Sequence, residues 1–232
     1  MREITLGNRL LSVARLVRQG AVFADVGTDH AYLPLYLFER GAIDRAICSD
    51  INEGPLENAR ANARARGYEE KIDFILTDGA AALSGYGITD MAICGMGGEL
   101  IAEIIEAAPY LKSSEVRLVL QPMTKQEHLR EYLIKSGFEL VGEEYSCEGK
   151  RSYLTLACEY RGVSDNTPTC ERIFGKAIPE YAAEQTAYLK SKLSSLKKQV
   201  AGKVATGEDT RELTEYVKYV EGLIDNLKIK EN

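Results

Sequence analysis

Ala21-Val22-Phe23-Ala24-Asp25-Val26-Gly27-Thr28-Asp29-His30-Ala31-Tyr32-Leu33-Pro34 decides the fold. Residues 21–24 are a short apolar run that reads as a buried strand, stopped by the polar turn 25–29. The pattern then becomes helical over 31–40 and closes at Gly41. Before this unit, Leu6, Leu10, Ala14 and Val17 repeat at helical spacing, which predicts an amphipathic helix ending near Gly20. After it the alternation continues. A second strand, 46–48, ends at Ser49-Asp50, and the next helix has Pro55 in its first turn and Gly67 at its end. Strands follow at 72–76, 91–94 and 116–120, with helices at 100–107 and 127–136. Two last strands, 138–146 and 152–159, are joined by Cys147-Glu148-Gly149-Lys150 with no helix between them.

Strands alternating with helices imply a mainly parallel sheet covered on both faces. The closing hairpin adds an antiparallel strand, a feature of Rossmann-like methyltransferases that the nicotinamide-binding version lacks. The predicted class is therefore α/β, and by analogy of fold it resembles the Rossmann-like class I methyltransferase fold, spanning 1–161. Residues 162–168 read as a polar linker. Leu189, Leu193, Leu196, Val200 and Val204, then Leu213, Val217, Val220, Ile224 and Leu227, form two apolar stripes either side of Gly207. They predict an antiparallel helical hairpin, coiled-coil-like, within 162–232.

Composition excludes several classes. With 45% hydrophobic and 28% charged residues the chain can bury a sizeable core. No apolar run is long enough for a membrane span and the N-terminus lacks a signal layout, so a cytoplasmic, membrane-free protein is expected. The five cysteines include no C-x-x-C pair, which argues against disulfides and a structural metal; Cys48 and Cys94 read as small buried hydrophobes. A net charge of −6 disfavours a phosphate-rich partner unless the basic residues are segregated. They are: Arg2, Arg9, Arg15 and Arg18 crowd the start, and Lys190, Lys192, Lys197, Lys198 and Lys203 a later helix. Such runs also occur as plain solvated helix faces.

Ligands of open parallel sheets bind beyond the carboxyl ends of the strands. Four strand ends here carry suspect residues. Asp25-Val26-Gly27 has one glycine only, so the G-x-G-x-x-G fingerprint of a dinucleotide is absent. S-adenosylmethionine carries no phosphate and tolerates such a loop; the alternative is an ordinary turn with Asp29 as helix N-cap. Asp50 lies 23 residues after Gly27, near the spacing of a ribose-binding acid. Asp78-Gly79 can hold an adenine through carboxylate and backbone amide, or be a simple turn. In Gly95-Met96-Gly97-Gly98, three glycines in four residues imply something large approaching the backbone. That stretch has none of the amide, carboxylate or proline groups that hold an exocyclic amine.

With these residues assembled, the chain resembles the TrmK family, bacterial tRNA methyltransferases acting at N1 of adenine 22. The likeness is carried by 25–34, Glu53-Gly54-Pro55, Asp78-Gly79, Gly95-Met96-Gly97-Gly98 and Leu118-Val119-Leu120-Gln121-Pro122. One departure is Met123, where asparagine is expected. The resemblance implies S-adenosylmethionine as cofactor, contacted by Asp25, Gly27, Asp29, His30, Asp50, Ile51, Asp78, Gly79, Gly95, Met96 and Gly97. It implies tRNA as partner; the candidate contacts are Tyr32, Gly98, Gln121 and Pro122 at the pocket and, from the segregated basic residues, Arg9, Lys190, Lys197 and Lys198. No metal is expected, and the chain is expected as a monomer or weak homodimer. Adenine N1 already has a lone pair, so the catalytic expectation is a carboxylate, Asp29, stabilising the cation that forms. Adenine 22 must be extruded from folded tRNA, and Tyr32 either stacks on it or packs in the core. His30 reads as a hydrogen-bonded structural residue rather than a catalyst. Two rival readings are a Rossmann oxidoreductase and a non-catalytic tRNA-binding protein with a vestigial pocket.

Overall fold

The structure, a computed structural model, describes residues 3–163 and 167–229. Arg2, and Ser164, Asp165 and Asn166 of the expected linker, lie outside the described residues. Seven strands form one sheet: β1 (Ala21–Val26), β2 (Ile43–Asp50), β3 (Ile72–Leu76), β4 (Asp90–Cys94), β5 (Arg117–Gln121), β6 (Phe138–Glu148) and β7 (Arg151–Tyr160). Their order is β3-β2-β1-β4-β5-β7-β6. The first five run parallel, with Ala24 paired to Ile47 on one side and to Met91 on the other. β7 is antiparallel to β5, as the sequence expectation required. β1 is extended two residues beyond the expected apolar run, so Asp25 is part of the strand.

The chain order reverses at β1: β2 and β3 lie to one side, β4 and β5 to the other. That places a crevice beyond the carboxyl ends of β1 and β4. Helices α1 (Asn8–Leu16), α2 (Tyr32–Glu39) and α3 (Glu53–Arg66) bury Val13, Leu35, Leu37, Ala59 and Ala63 in one cluster with Phe23, Cys48, Ala92 and Val119. Residues of opposite parity, such as Ile47, Met91, Ile93 and Leu118, are equally buried and face the other way. Helices α4 (Gly98–Glu106) and α5 (Gln126–Lys135) pack on each other and bury Ile101, Ile105, Leu129 and Leu133. Each such side chain contributes about 1.5–3 kcal/mol by burial.

The chain divides into two compact units, Met1–Glu144 with Leu154–Asp165, and Tyr145–Tyr153 with Asn166–Asn232. A boundary drawn at Arg161 misses the hairpin tip, which groups with the second unit; there Tyr145 meets Tyr188 at 5.4 Å between ring centroids. The second unit holds α6 (Thr169–Phe174), which the sequence did not suggest, and the long pair α7 (Ala182–Thr206) and α8 (Arg211–Ile229). Leu189, Leu196, Val220, Ile224 and Leu227 are buried along the α7–α8 contact. Val204 departs from the expected stripe: it is 64% exposed, because it lies in the last turn of α7, past the packed part of the pair.

Arg18 is corrected from a free basic residue to a structural clamp. Its Nε donates to Asp90 Oδ1 and its backbone N–H to Asp90 Oδ2, both at 2.8 Å, and its guanidinium also reaches the carbonyls of Thr89 and Glu115. Asp90 is fully buried at the start of β4. Removing one partner of such a pair strands a buried charge. Arg18→Ala is therefore expected to lower unfolding free energy by about 3 kcal/mol in denaturant titration; a variant as stable as the parent contradicts the clamp.

Candidate active site

The end of β1 turns back on β2. The backbone N–H groups of Gly27 and Thr28 both donate to the Ser49 carbonyl, at 2.8 and 2.9 Å. Gly27 sits at φ +79°, a left-handed conformation that favours glycine, and the Met96 terminal methyl lies directly over its α-carbon. Asp25 is 8% exposed and accepts a 2.6 Å bond from the Thr28 hydroxyl. Burial pushes its pKa from 3.8 up to about 6, offset by Thr28 and reinforced by the nearby Asp50 charge. The Cys48 and Cys94 thiols are pushed well above their usual range, first by burial and then by Asp25. Thr28 was overlooked in the sequence; a hydroxyl three residues after a strand-end Asp is the local signal that finds it.

Asp29 is not the N-cap of α2. That place belongs to Ala31, a buried residue held in the left-handed region at φ +54° at about 1 kcal/mol of strain. Asp29 is instead exposed, with the His30 Nε2 at 3.3 Å. His30 in turn stacks on Tyr32, ring centroids 5.1 Å apart. Tyr32 is 48% exposed, so of its two readings the core position is excluded.

Beyond β2, Asp50 is half-buried; its Oδ1 accepts the Asn52 N–H at 2.7 Å, and no described residue bonds its other oxygen. Ile51 follows with its side chain 61% exposed. Asp78, after β3, is exposed, and Gly79 at φ +67° faces Ile104. A half-open acid, a bare aliphatic, a second acid and a buried carboxylate along adjoining strand ends fit S-adenosylmethionine's ribose, adenine and the ammonium group of its amino-acid end. Among the described residues no three His, Cys, Asp or Glu side chains gather as a metal site.

The glycine-rich segment after β4 is explained mostly by the protein itself. Gly98 is buried, donates to the Thr124 carbonyl at 2.8 Å, and has no room for a β-carbon against the Lys125 backbone. Gly97 bridges to Thr124. The substrate contact expected at Gly98 is therefore corrected: what approaches it is the chain after β5. Only Gly95, at φ +80°, has open space above it. Gln121 is likewise beneath the surface. It is fully buried, accepts the Arg9 guanidinium at 2.7 Å, and its amide nitrogen lies 3.3 Å from the Pro122 carbonyl and 3.7 Å from Met123 Sδ. Arg9 and Gln121, singled out separately, thus form one contact. Pro122 is buried, its carbonyl also taking the Gln126 amide at 3.2 Å.

The two basic surfaces are thinner than the sequence suggests. Arg15 is paired with Glu144 at 3.0 Å and Arg18 with Asp90. Lys197 is paired across the helical hairpin with Glu221 at 2.8 Å, an acid that the α7 sequence by itself does not reveal. Lys190 and Lys198 are exposed.

A family model described as "Methyltransferase domain" matches residues 6–156. The tRNA (adenine(22)-N(1))-methyltransferase of Bacillus subtilis is 36% identical over 159 residues, 68% of this chain and 67% of the relative. A putative tRNA (m1A22) methyltransferase of Streptococcus pneumoniae, solved with S-adenosyl-L-methionine, superposes with a TM-score of 0.80 at 31% identity, covering 95% of this chain and 100% of that one. The B. subtilis M1A22 tRNA methyltransferase TrmK superposes at 0.76 with 28% identity, covering 99% and 100%.

Because folding raises the Asp25 pKa, the folded chain holds that proton more tightly than the unfolded chain does between 3.8 and about 6. Its contribution is fully present below that window and is lost as pH rises through it, amounting to at most about 3 kcal/mol. Without ligand, Asp25→Asn is expected to raise the melting temperature at pH 8 and to change it little at pH 4. Calorimetry showing a less stable Asn variant at pH 8 contradicts this.

Proposed function

Since this chain belongs to the bacterial tRNA (adenine(22)-N(1))-methyltransferase family, we propose that the crevice at the β1–β4 switch point is its methyl-transfer site. The protein methylates N1 of adenine 22 in tRNA, using S-adenosylmethionine. One observation carries the site assignment: the buried Asp25 and half-open Asp50 end adjoining strands, flanking the turns at Gly27 and Gly95. When bound, S-adenosylmethionine supplies a methyl carbon activated by its sulfonium. The free oxygen of Asp50 takes ribose hydroxyls, Ile51 covers one adenine face, and Asp78 with the Gly79 amide reads the adenine edge. Asp25, Gly27, Asp29 and His30 line the cationic end, with Gly95, Met96 and Gly97 closing the side towards β4.

The new bond forms from the adenine N1 lone pair as the carbon–sulfur bond breaks, so no side chain removes a proton to create the nucleophile. The residues hold base and sulfonium in line, a positioning effect that supplies much of the rate. Asp29 meets the positive charge growing on the base. At 73% side-chain exposure it is screened by water until base and cofactor cover it. Tyr32 offers a ring face to the extruded base. Arg9 and the backbone of Gln121-Pro122 wall the substrate side through their mutual contact rather than by direct reading.

Affinity for a folded RNA comes largely from neutralised phosphates. On α7, the exposed Lys190 and Lys198 rim a shallow depression with Leu193, Ser194, Ala201 and the Glu221-paired Lys197, and Lys190 and Lys198 are the charges offered to an RNA backbone. We assign the helical hairpin of 162–232 this second tRNA contact, with the protein acting in the cytoplasm as a monomer or weak homodimer. Among the described residues no helix is long and apolar enough to cross a membrane.

Calorimetric titration with S-adenosylmethionine and with NAD tests the cofactor: binding of the first and none of the second is expected, and the reverse returns the chain to the oxidoreductase class. Asp50→Ala should weaken cofactor affinity by about 1.5–3 kcal/mol, the scale of lost charge-assisted hydrogen bonds; unchanged affinity removes Asp50 from the site. Asp29→Ala should cost about 100-fold in turnover while cofactor affinity changes far less. Near-native turnover in that variant removes Asp29 from catalysis.

A further inference from the structure

Met96 and Met123 follow β4 and β5 at the same level of the sheet, on the side of β1 away from Asp50. The Met123 N–H donates to the Met96 carbonyl at 2.8 Å, so the two residues are held side by side. Both are half-buried. The Met96 methyl lies against Gly27, at the mouth of the crevice. Met123 is fixed from beneath: its sulfur is 3.7 Å from the Gln121 amide nitrogen, and that amide is oriented by Arg9 on its oxygen. The rest of the segment is zipped down by the Gly97–Thr124 bridge and the Gly98 bond to Thr124. This part of the wall is therefore built of two thioethers and glycine backbone, with the exposed Thr124 hydroxyl beside Gly97. Thioether sulfur accepts hydrogen bonds only weakly, but it is polarisable and packs well against aromatic rings.

We infer that Met123 and Met96 form a thioether floor on which the target adenine packs by its face, so this end of the crevice selects a flat base by contact rather than by hydrogen bonds to its edge. This rests on the tRNA-adenine reading above. A cofactor whose ribose lies at Asp50 and whose charged end lies at Gly27 leaves the β4–β5 side for the second substrate. A soft, uncharged floor suits a base that becomes a cation during the reaction, because it neither competes for N1 nor repels the product charge. Met123 is thus a specificity-determining residue, with Arg9 and Gln121 acting through it as positioning residues.

The chain has four methionines, so labelling with [methyl-13C]methionine resolves the floor directly, with the fully buried Met91 as internal reference. The protein is saturated with S-adenosylhomocysteine and titrated with an unmodified tRNA transcript carrying adenine at position 22, or an abasic site there. The adenine transcript is expected to move the Met123 methyl upfield by ring current, the abasic transcript to leave it in place, and Met91 to stay still. A Met123 signal that ignores both transcripts, or answers both equally, overturns the inference. In parallel, Met123→Ala should lose about tenfold in kcat/KM for tRNA, and Met123→Leu should stay within about threefold of the parent. Both variants should keep parental S-adenosylhomocysteine affinity. An alanine variant with parental kcat/KM, or with weakened S-adenosylhomocysteine affinity, also overturns it. Failure of the parent to methylate the adenine transcript counts against the tRNA reading instead, while the Met123 shift still reports on the floor.

Discussion

Parallel pairing of β1 with both β2 and β4 is the constraint on which everything else rests. It aims three carboxyl ends at the same edge, and the reversal of order at β1 makes the following loops diverge there. A buried acid at that point, Asp25, has among the described residues only the Thr28 hydroxyl to satisfy it directly. The protein thus carries a destabilising carboxylate in its sheet at neutral pH, and under the proposed function a ligand ammonium group completes its environment. Stability given up at a site in exchange for binding is a common trade.

The second constraint is backbone on backbone. The segments after β4 and β5 continue to pair beyond the strands, through Gly95, Met123, Gly97 and Gly98. That close approach forbids side chains at Gly98 and holds Lys125 in the left-handed region at φ +55°. The strained residues Ala31 and Lys125 therefore mark the loops after β1 and β5, both bordering the crevice. Asp29, Tyr32, Ile51 and Asp78 of the proposed site are by contrast exposed.

Much of this was legible in the chain because it is local. Strand and helix periods, the single glycine after Asp25, the distance to Asp50 and the hairpin after 138 are all patterns within a few dozen residues. What local pattern could not show depends on contacts across long sequence separations. Gly98 reads as a ligand approach, yet its reason is Lys125, 27 positions away in sequence. Arg18 reads as surface charge, yet its partner Asp90 lies 72 residues on. Gln121 reads as a substrate contact until Arg9, 112 residues earlier, occupies its oxygen. Tyr32 carried two readings that sequence could not separate: its first-turn neighbours Leu33, Pro34 and Leu35 are buried, yet Tyr32 itself is 48% exposed.

The central claim is chemical, that this crevice moves a methyl group to N1 of adenine 22. The most direct measurement is transfer from S-adenosyl-[methyl-14C]methionine to an unmodified tRNA transcript, with the product digested and the labelled nucleoside identified by mass and retention. The account requires 1-methyladenosine arising at position 22, lost when that position is uracil and sharply reduced in the Asp29→Ala protein. Binding of cofactor and tRNA with no label transferred, or label at another atom or another position, contradicts it.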